Sequence, residues 1–302
     1  MTRLAVWASV CAGVIGAARL PLDAVQFRSG TELVLIDVEV TRDGRPVERL
    51  SASDFELHDQ GVRQTIREVS VDAVPVSLLL TLDVSGSVAD GTIQQLKAAA
   101  AAAIDALGSA DTAALTAFAD SIALLSDWTS ERRPLASAID GLRAEGATAL
   151  YDAVFASLML RPAAPRRMLL LIFSDGIDTT SWLDAASVLA AARRTDVVVY
   201  AVSSTEAITR DDARLSRAFD RAPTLFPAVF LRRLADDCGG VTIDLNHPTD
   251  LPELFHRIVR EFKQRYVISY SPQGVRPGGW HEVVVSLPRH EGLVRARRGY
   301  WR

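Results

Sequence analysis

An aspartate and two serines stand directly after an apolar run of the chain. Residues 78–82 are apolar apart from one threonine, Asp83 follows them, and Ser85 and Ser87 come at alternate positions. The run is too short to span a membrane and is typical of a buried strand, and a helical pattern comes next. One carboxylate and two hydroxyls are hard oxygen donors, which suit Mg²⁺ and suit zinc or copper poorly. The pattern therefore predicts part of a divalent-cation site.

Two further oxygen donors stand where a sheet would bring them to the same place. Asp175 comes almost directly after a second apolar run, residues 168–173, and Thr148 lies in a loop before a helix. If the two strands are neighbours, both carboxylates project over the carboxyl edge of the sheet, where ligands bind in open α/β folds. Taken alone, the first motif has another reading, because acids and serines often cap the helix that follows a strand.

The complete set offers five oxygen donors from three loops: Asp83, Ser85, Ser87, Thr148 and Asp175. Mg²⁺ prefers octahedral oxygen ligands, and Mn²⁺ and Ca²⁺ accept the same donor types. Hydroxyls are weak ligands, so such an ion stays electrophilic and could accept a carboxylate from another molecule. We expect a recognition site without catalytic residues. Asp152 is interpreted as a residue of the helix start or as a residue that supports the ligands without binding the ion itself. Asp178 is interpreted as a solvated loop residue.

Apolar strands alternate with helical patterns between residues 75 and 263. This order predicts an α/β fold, in which a doubly wound, mainly parallel sheet is flanked by helices. The strands are expected at 78–83, 113–118, 122–125, 168–173, 197–202 and 241–245, and the second and third of these are expected to pair. The helices are expected at 93–107, 132–142, 149–160, 183–194, 230–238 and 251–262.

The two flanks of this region lack helical periodicity. Residues 25–74 contain short strands, and in the best of them Asp37 and Glu39 lie on the face opposite the valines and isoleucine. Residues 264–302 contain further strand patterns at 266–271, 282–287 and 293–301. We expect the two flanks to form one small β module. The alternative is that they extend the edge of the main sheet.

The first 18 residues have the pattern of a secretory signal peptide. Arg3 precedes an uncharged stretch at 4–18 that ends in small residues. The stretch is short for a membrane span, which needs about 20 residues; an uncleaved N-terminal anchor is the alternative. Cleavage would leave Cys238 as the single cysteine, which excludes an intramolecular disulfide. The protein is therefore expected outside the cytoplasm, secreted or in the periplasm or cell envelope, without a membrane span.

Composition and charge exclude some classes of partner. Of the 302 residues, 49% are apolar and 23% are charged, which is ordinary for a globular protein. The net charge is −4, and no cluster of Lys and Arg alternates with aromatic residues. This argues against nucleic-acid binding.

Three motifs closely resemble the von Willebrand factor type A domain family and its metal-ion-dependent adhesion site. They read D-V-S-G-S at 83–87, G-A-T-A-L-Y-D-A at 146–153 and F-S-D-G at 173–176. All five metal-site positions of the family match the five donors named above. The resemblance covers residues 75–263, and the flanks at 38–55 and 266–272 look like a subgroup of secreted bacterial proteins with a related A domain. It implies a mainly parallel sheet, a divalent ion, and binding of an acidic residue of a protein partner.

The expected function is therefore a metal-dependent, adhesion-type protein-binding module. Two alternatives stay open: a metal-dependent hydrolase, which would need a general base such as Glu145 near an activated water, and a scaffold whose β module makes the contacts. The polar stretch 203–227 is expected to border the ion and to set partner specificity, because it leaves the third apolar strand at the same edge. The amphipathic helix at 251–262 is expected to couple the site to the β module.

Overall fold

The N-terminal part of the chain forms short strands. A computed structural model describes residues 33–71, 74–86, 92–163, 167–203, 227–245 and 250–302. Its first strands are β1 (Val34–Arg42), β2 (Arg45–Pro46), β3 (Glu56–Asp59), β4 (Val62–Gln64) and β5 (Ile66–Val71), with one 3₁₀ turn at Ala52–Asp54. The alternation of buried and more exposed residues along β1 matches the period of two in its sequence.

The main sheet contains six strands within the described residues. They are β6 (Val76–Asp83), β7 (Thr112–Phe118), β8 (Ile122–Thr129), β9 (Arg167–Ser174), β10 (Val198–Ser203) and β11 (Val241–Asp244), in the order β11-β10-β9-β6-β7-β8. Only β8 runs antiparallel to its neighbour, at one edge. The predicted mainly parallel sheet is confirmed, and β6 lies inside it between β7 and β9.

Helices cover both faces of this sheet. They are α1 (Thr92–Asp105), α2 (Arg132–Asp140), α3 (Leu150–Met159), α4 (Ala185–Ala192), α5 (Pro227–Asp237) and α6 (Leu251–Lys263). Apolar side chains of α1, α2 and α6 form one core with the sheet, and those of α3, α4 and α5 form another on the opposite face. The doubly wound α/β class is therefore confirmed.

Strand β6 shows why its sequence is almost continuously apolar. All eight of its residues are buried. Leu78, Leu80 and Leu82 enter the core with α1 and α6, whereas Leu79 enters the core with α3 and α4. Thr81 faces α3, where its hydroxyl lies 2.8 Å from that of Ser157. A strand covered on both faces cannot show the polar alternation of a half-exposed strand.

Strands from both ends of the chain build two further sheets. The C-terminal strands are β12 (Tyr266–Tyr270), β13 (Trp280–Ser286), β14 (Leu293–Ala296) and β15 (Gly299–Trp301). One sheet has the order β14-β1-β12-β5 with β2 paired to β1, and the other has the order β15-β13-β3-β4. The two sheets share one hydrophobic core. This confirms a β module formed by both termini, although the single strand predicted at 293–301 is two strands in different sheets.

The polar face of β1 packs against the main domain. The Asp37 carboxylate accepts hydrogen bonds from Arg167 at the start of β9, with an Nε–Oδ1 distance of 2.7 Å and an Nη2–Oδ1 distance of 2.6 Å. Glu39 accepts a 3.0 Å hydrogen bond from the Tyr200 hydroxyl and lies 3.7 Å from Arg265, whose side chain is fully buried. Residues 32–302 accordingly form one compact unit, and the domain boundaries near 75 and 263 stay a prediction.

Some predictions concern residues outside the described ranges. These are the signal peptide at 1–18, the second serine of the first motif, Ser87, and nearly all of the stretch 203–227. No helix within the described part of the chain is long and apolar enough to cross a membrane. Cys238 is buried, and burial raises the pKa of its thiol to about 12, so the thiol is unreactive at neutral pH.

Candidate metal centre

The two predicted carboxylates lie at the same edge of the main sheet. Asp83 is the last residue of β6, and Asp175 comes directly after β9. The two strands are parallel neighbours, with Leu82 opposite Phe173. Both acids therefore stand at the carboxyl edge, as the strand pattern predicts.

Asp83 is a fully buried acid, and the hydrogen-bond donors that the described residues offer it are neutral. Its Oδ1 accepts a 2.9 Å bond from the backbone N–H of Ser85, and its Oδ2 accepts a 2.7 Å bond from the Ser174 hydroxyl. Burial raises the pKa of the Asp83 carboxyl above 3.8; the bonds from Ser85 and Ser174 oppose this rise, and the charge of Asp175 adds to it. No Lys or Arg of the described residues forms an ion pair with Asp83, so no side chain within those ranges balances its negative charge.

Backbone hydrogen bonds hold the Thr148 loop beside the end of β6. The Gly86 N–H donates to the Gly146 carbonyl at 3.0 Å, and the Glu145 N–H donates to the Val84 carbonyl at 2.8 Å. Gly146 has a φ of +85°, and a Cβ there would lie 3.2 Å from the Asp120 Cγ. A glycine therefore allows this loop to close against its neighbour, and Thr148 is buried at its end.

The loop after Asp175 caps the first turn of α3. The Thr179 hydroxyl accepts a 3.0 Å bond from the Thr148 N–H, and the Thr179 N–H donates to the Thr148 carbonyl at 2.8 Å. Asp178 Oδ1 accepts a 3.2 Å bond from the Tyr151 N–H and a 2.5 Å bond from the Ser181 hydroxyl. Asp178 lies in a partly exposed loop, and it has a role that its interpretation as a solvated loop residue did not include, because it satisfies a free N–H group of a helix N-terminus.

Asp152 of α3 is also hydrogen-bonded to the same loop. Its Oδ2 accepts from the Trp182 N–H and its Oδ1 from the Leu183 N–H, at 2.9 Å each. Its own N–H donates to the Ser181 hydroxyl at 3.2 Å. Both carboxylate oxygens thus serve backbone groups, in agreement with the expected role at the helix start. The Trp182 side chain projects away, and the residue is 96% exposed.

The structure brings together four of the five predicted donors at this edge: Asp83, Ser85, Thr148 and Asp175. Ser174 is a further polar residue of the site that the sequence interpretation missed, although a hydroxyl in the last position of an apolar strand could have indicated it. No group of three His, Cys, Asp or Glu side chains suited to a metal occurs in the described ranges. The predicted set has only two carboxylates, and its remaining donors are hydroxyls. This all-oxygen chemistry, with a buried carboxylate that no cationic side chain of the described ranges balances, fits a hard divalent cation.

Comparison with known proteins finds a match between this part of the chain and one family model. Residues 78–177 match the family model described as the von Willebrand factor type A domain. Among solved structures, the chain is similar to a von Willebrand factor type A protein from Catenulispora acidiphila, with 13% identity and a TM-score of 0.52 over 87% of this chain and 74% of that chain.

Two other solved structures are similar to parts of the chain. For proximal thread matrix protein 1 from the mussel byssus, the identity is 14% and the TM-score 0.51, over 68% of this chain and 50% of that chain. For the PilB minor pilin from Streptococcus sanguinis, the identity is 11% and the TM-score 0.48, over 63% and 62%. No curated protein matches the sequence. At these identities the likeness concerns the fold.

Proposed function

Because residues 78–177 match the family model described as the von Willebrand factor type A domain, we propose that this protein is a divalent-metal-dependent protein-binding module. The ion, Mg²⁺ or the similar Mn²⁺ or Ca²⁺, would be held by Asp83, Ser85, Ser87, Thr148 and Asp175. An acidic group of a protein partner would complete its ligands. This function is of the adhesion type and needs no catalytic residue.

The buried state of Asp83 is the observation that supports this proposal best. A carboxylate taken out of water is costly unless a cation or strong donors balance it. Here Asp175 raises the pKa of Asp83 further, and the hydrogen bonds come from a backbone N–H and a serine. A divalent ion at this edge would balance both carboxylates and still have room for a ligand from outside.

We further propose that the protein is secreted or lies in the periplasm or cell envelope. The support is the signal-like pattern of residues 1–18, with its single Arg3 and uncharged stretch. Expression of the full chain and sequencing of the N-terminus of the exported product would test this. Recovery of the whole chain in the cytoplasm would contradict it.

Metal binding can be tested with Mg²⁺ alone. Calorimetric titration of the metal-depleted full chain should show one saturable site, and the site should be lost in Asp83→Asn. Asp105→Asn is a matched control, because Asp105 is an exposed carboxylate at the end of α1, at the opposite edge of the sheet. Equal Mg²⁺ binding by Asp83→Asn and the native chain would contradict the proposal.

Partner binding can be tested in the presence of Mg²⁺ and of EDTA. Capture from an envelope fraction should require the ion and should fail with Asp83→Asn. Capture that is unaffected by EDTA would favour the scaffold alternative, in which the β module makes the contacts. Turnover of a captured molecule that is abolished by Asp83→Ala would favour the hydrolase alternative, and Glu145, whose N–H bonds to Val84 beside the site, would then be the base to test.

A further inference from the structure

One side chain in the loop that follows Asp175 is almost completely exposed although its backbone is fixed. Trp182 is 96% exposed, more than any other large apolar residue of the described ranges. Its N–H is held by Asp152, and the preceding Ser181 bonds to Asp178 and to the Asp152 N–H. An indole on a fixed backbone loses little conformational entropy on binding, which is the property of a binding hot spot.

This loop is physically continuous with the predicted ion ligands. It begins at Asp175, and its Thr179 exchanges hydrogen bonds with Thr148 at 2.8 and 3.0 Å. Trp182 comes three residues after Thr179, and its N–H is held to α3, the helix that begins directly after the Thr148 loop. A partner that reaches the ion from outside would therefore meet the exposed indole on the same side of the molecule.

The two segments of the chain that are hydrogen-bonded to each other beside the indole contain acidic residues and no Lys or Arg. Residues 175–192 contain Asp175, Asp178 and Asp184 but no Lys or Arg, and residues 144–160 contain Glu145 and Asp152 but no Lys or Arg. An apolar group of a partner would be stabilised at this surface only by the burial of its apolar area. A basic group would gain Coulomb attraction and a cation–π contact, which is strongest with tryptophan.

We propose that Trp182 is a second contact point for the partner and receives a Lys or Arg side chain close to the acidic residue that reaches the ion. This inference rests on the proposed metal-dependent function and adds a charge pattern to it. The partner segment carries both an acid and a base. Asp152 acts as a positioning residue, because it fixes the backbone of the indole.

The binding of short blocked peptides to the full chain tests this charge pattern. Each contains one Glu and, one to four positions away, Arg, its uncharged counterpart norleucine, or Ser. Their dissociation constants are measured with Mg²⁺ and with EDTA. The chain carries 5-fluorotryptophan, and the fluorine signal of position 182 is assigned with Trp182→Phe. N-acetylarginine amide serves as a probe of the indole alone.

In Mg²⁺, the best Arg peptide should bind about fivefold tighter than its norleucine counterpart, the effect of a contact of about 1 kcal/mol. Trp182→Ala should remove this advantage, and Trp301→Ala, which changes a half-exposed tryptophan of β15, should not. Equal binding of the norleucine peptides would overturn the inference in favour of an apolar contact. A fluorine signal at 182 that saturating N-acetylarginine amide does not move would overturn it as well.

The two proposals fail in different ways. If the Glu–Ser peptides require Mg²⁺ and Trp182→Ala has no effect on any peptide, the metal-dependent function stands and the tryptophan contact is wrong. If Arg peptides bind through Trp182 equally well in EDTA, the metal-dependent function is wrong. Absence of binding by every Glu peptide in Mg²⁺ also counts against the metal-dependent function.

Discussion

The Ser174 hydroxyl donates a 2.7 Å hydrogen bond to Asp83 Oδ2. The two residues end neighbouring parallel strands, and both are fully buried. The same hydroxyl accepts a 3.0 Å bond from the Gly176 N–H. Ser174 therefore connects the predicted ligand of one strand with the turn that carries Asp175, and it fixes the orientation of the Asp83 carboxylate.

Ser174→Ala should weaken Mg²⁺ binding about tenfold in calorimetric titration. The reason is that hydrogen bonds to charged groups contribute about 1.5–3 kcal/mol, and the variant removes one from a proposed ligand. Ser77→Ala is the matched control, because Ser77 is also a buried serine but bonds to Thr112 at the other end of β6. An unchanged Mg²⁺ affinity in Ser174→Ala would show that this bond does not orient the ligand.

Asp152→Ala should increase amide hydrogen exchange of Trp182 and Leu183. The variant removes the only acceptors that the structure gives these two N–H groups, and local opening then needs less free energy. Exchange measured by mass spectrometry checks this. Asp184→Ala is the control, because Asp184 accepts from Ser187 at the start of α4; it should affect α4 and leave Trp182 protected.

The Asp111 carboxyl should make the stability of the protein dependent on pH. Burial would raise the pKa of its carboxyl, but the hydrogen bonds from Lys263 and from the N–H groups of Val76 and Gly108 outweigh burial and lower the pKa below 3.8. The folded state therefore gains stability from this acid above pH 3.8 and loses it as the pH falls through the lower folded pKa.

Asp111→Asn should accordingly lower the free energy of unfolding by about 2 kcal/mol at neutral pH, since it removes the charge that accepts these bonds. The difference from the native chain should shrink below pH 3.8. Urea unfolding at several pH values measures both effects. A difference that stays constant down to pH 2 would contradict the lowered pKa.

Loss of Arg167 alone should lower the free energy of unfolding more than loss of both charged groups of the Arg167–Asp37 pair. Arg167→Met leaves the Asp37 carboxylate without its cation and should cost about 3–5 kcal/mol of unfolding free energy. Adding Asp37→Asn removes the unpaired charge and should recover part of this loss. Urea unfolding of both variants gives the comparison, and a double variant no more stable than Arg167→Met would refute the interpretation.

The sequence predicts the main sheet and the placement of the acids at its edge well. Continuous apolar strands, such as the one before Asp83, differ clearly from amphipathic helices, and parallel neighbours must end at the same edge. The polar face of β1 was harder to interpret. Asp37 and Glu39 alternate with apolar residues in the same way whether they face water or an arginine that lies 130 positions away, as Arg167 does from Asp37.

The interlocking of α3 with the loop after Asp175 could not be predicted either. Asp152 and Asp178 are ordinary loop and helix-start residues in the sequence. Their partners lie about 30 positions away, at Trp182 for Asp152 and at Tyr151 for Asp178. Such bonds depend on the three-dimensional arrangement of two loops. Local propensities and periodicities do not predict that arrangement.

The packing of the β module against the start of β9 determines how the molecule would carry a mechanical load. Asp37 holds the module at Arg167, whereas Asp83 lies at the other end of the neighbouring strand, about 23 Å away at 3.3 Å per residue. A pull between a ligand at Asp83 and the chain that enters at Leu33 would run lengthwise along parallel strands. Their hydrogen bonds would then be loaded in shear and share the force, instead of opening one after another.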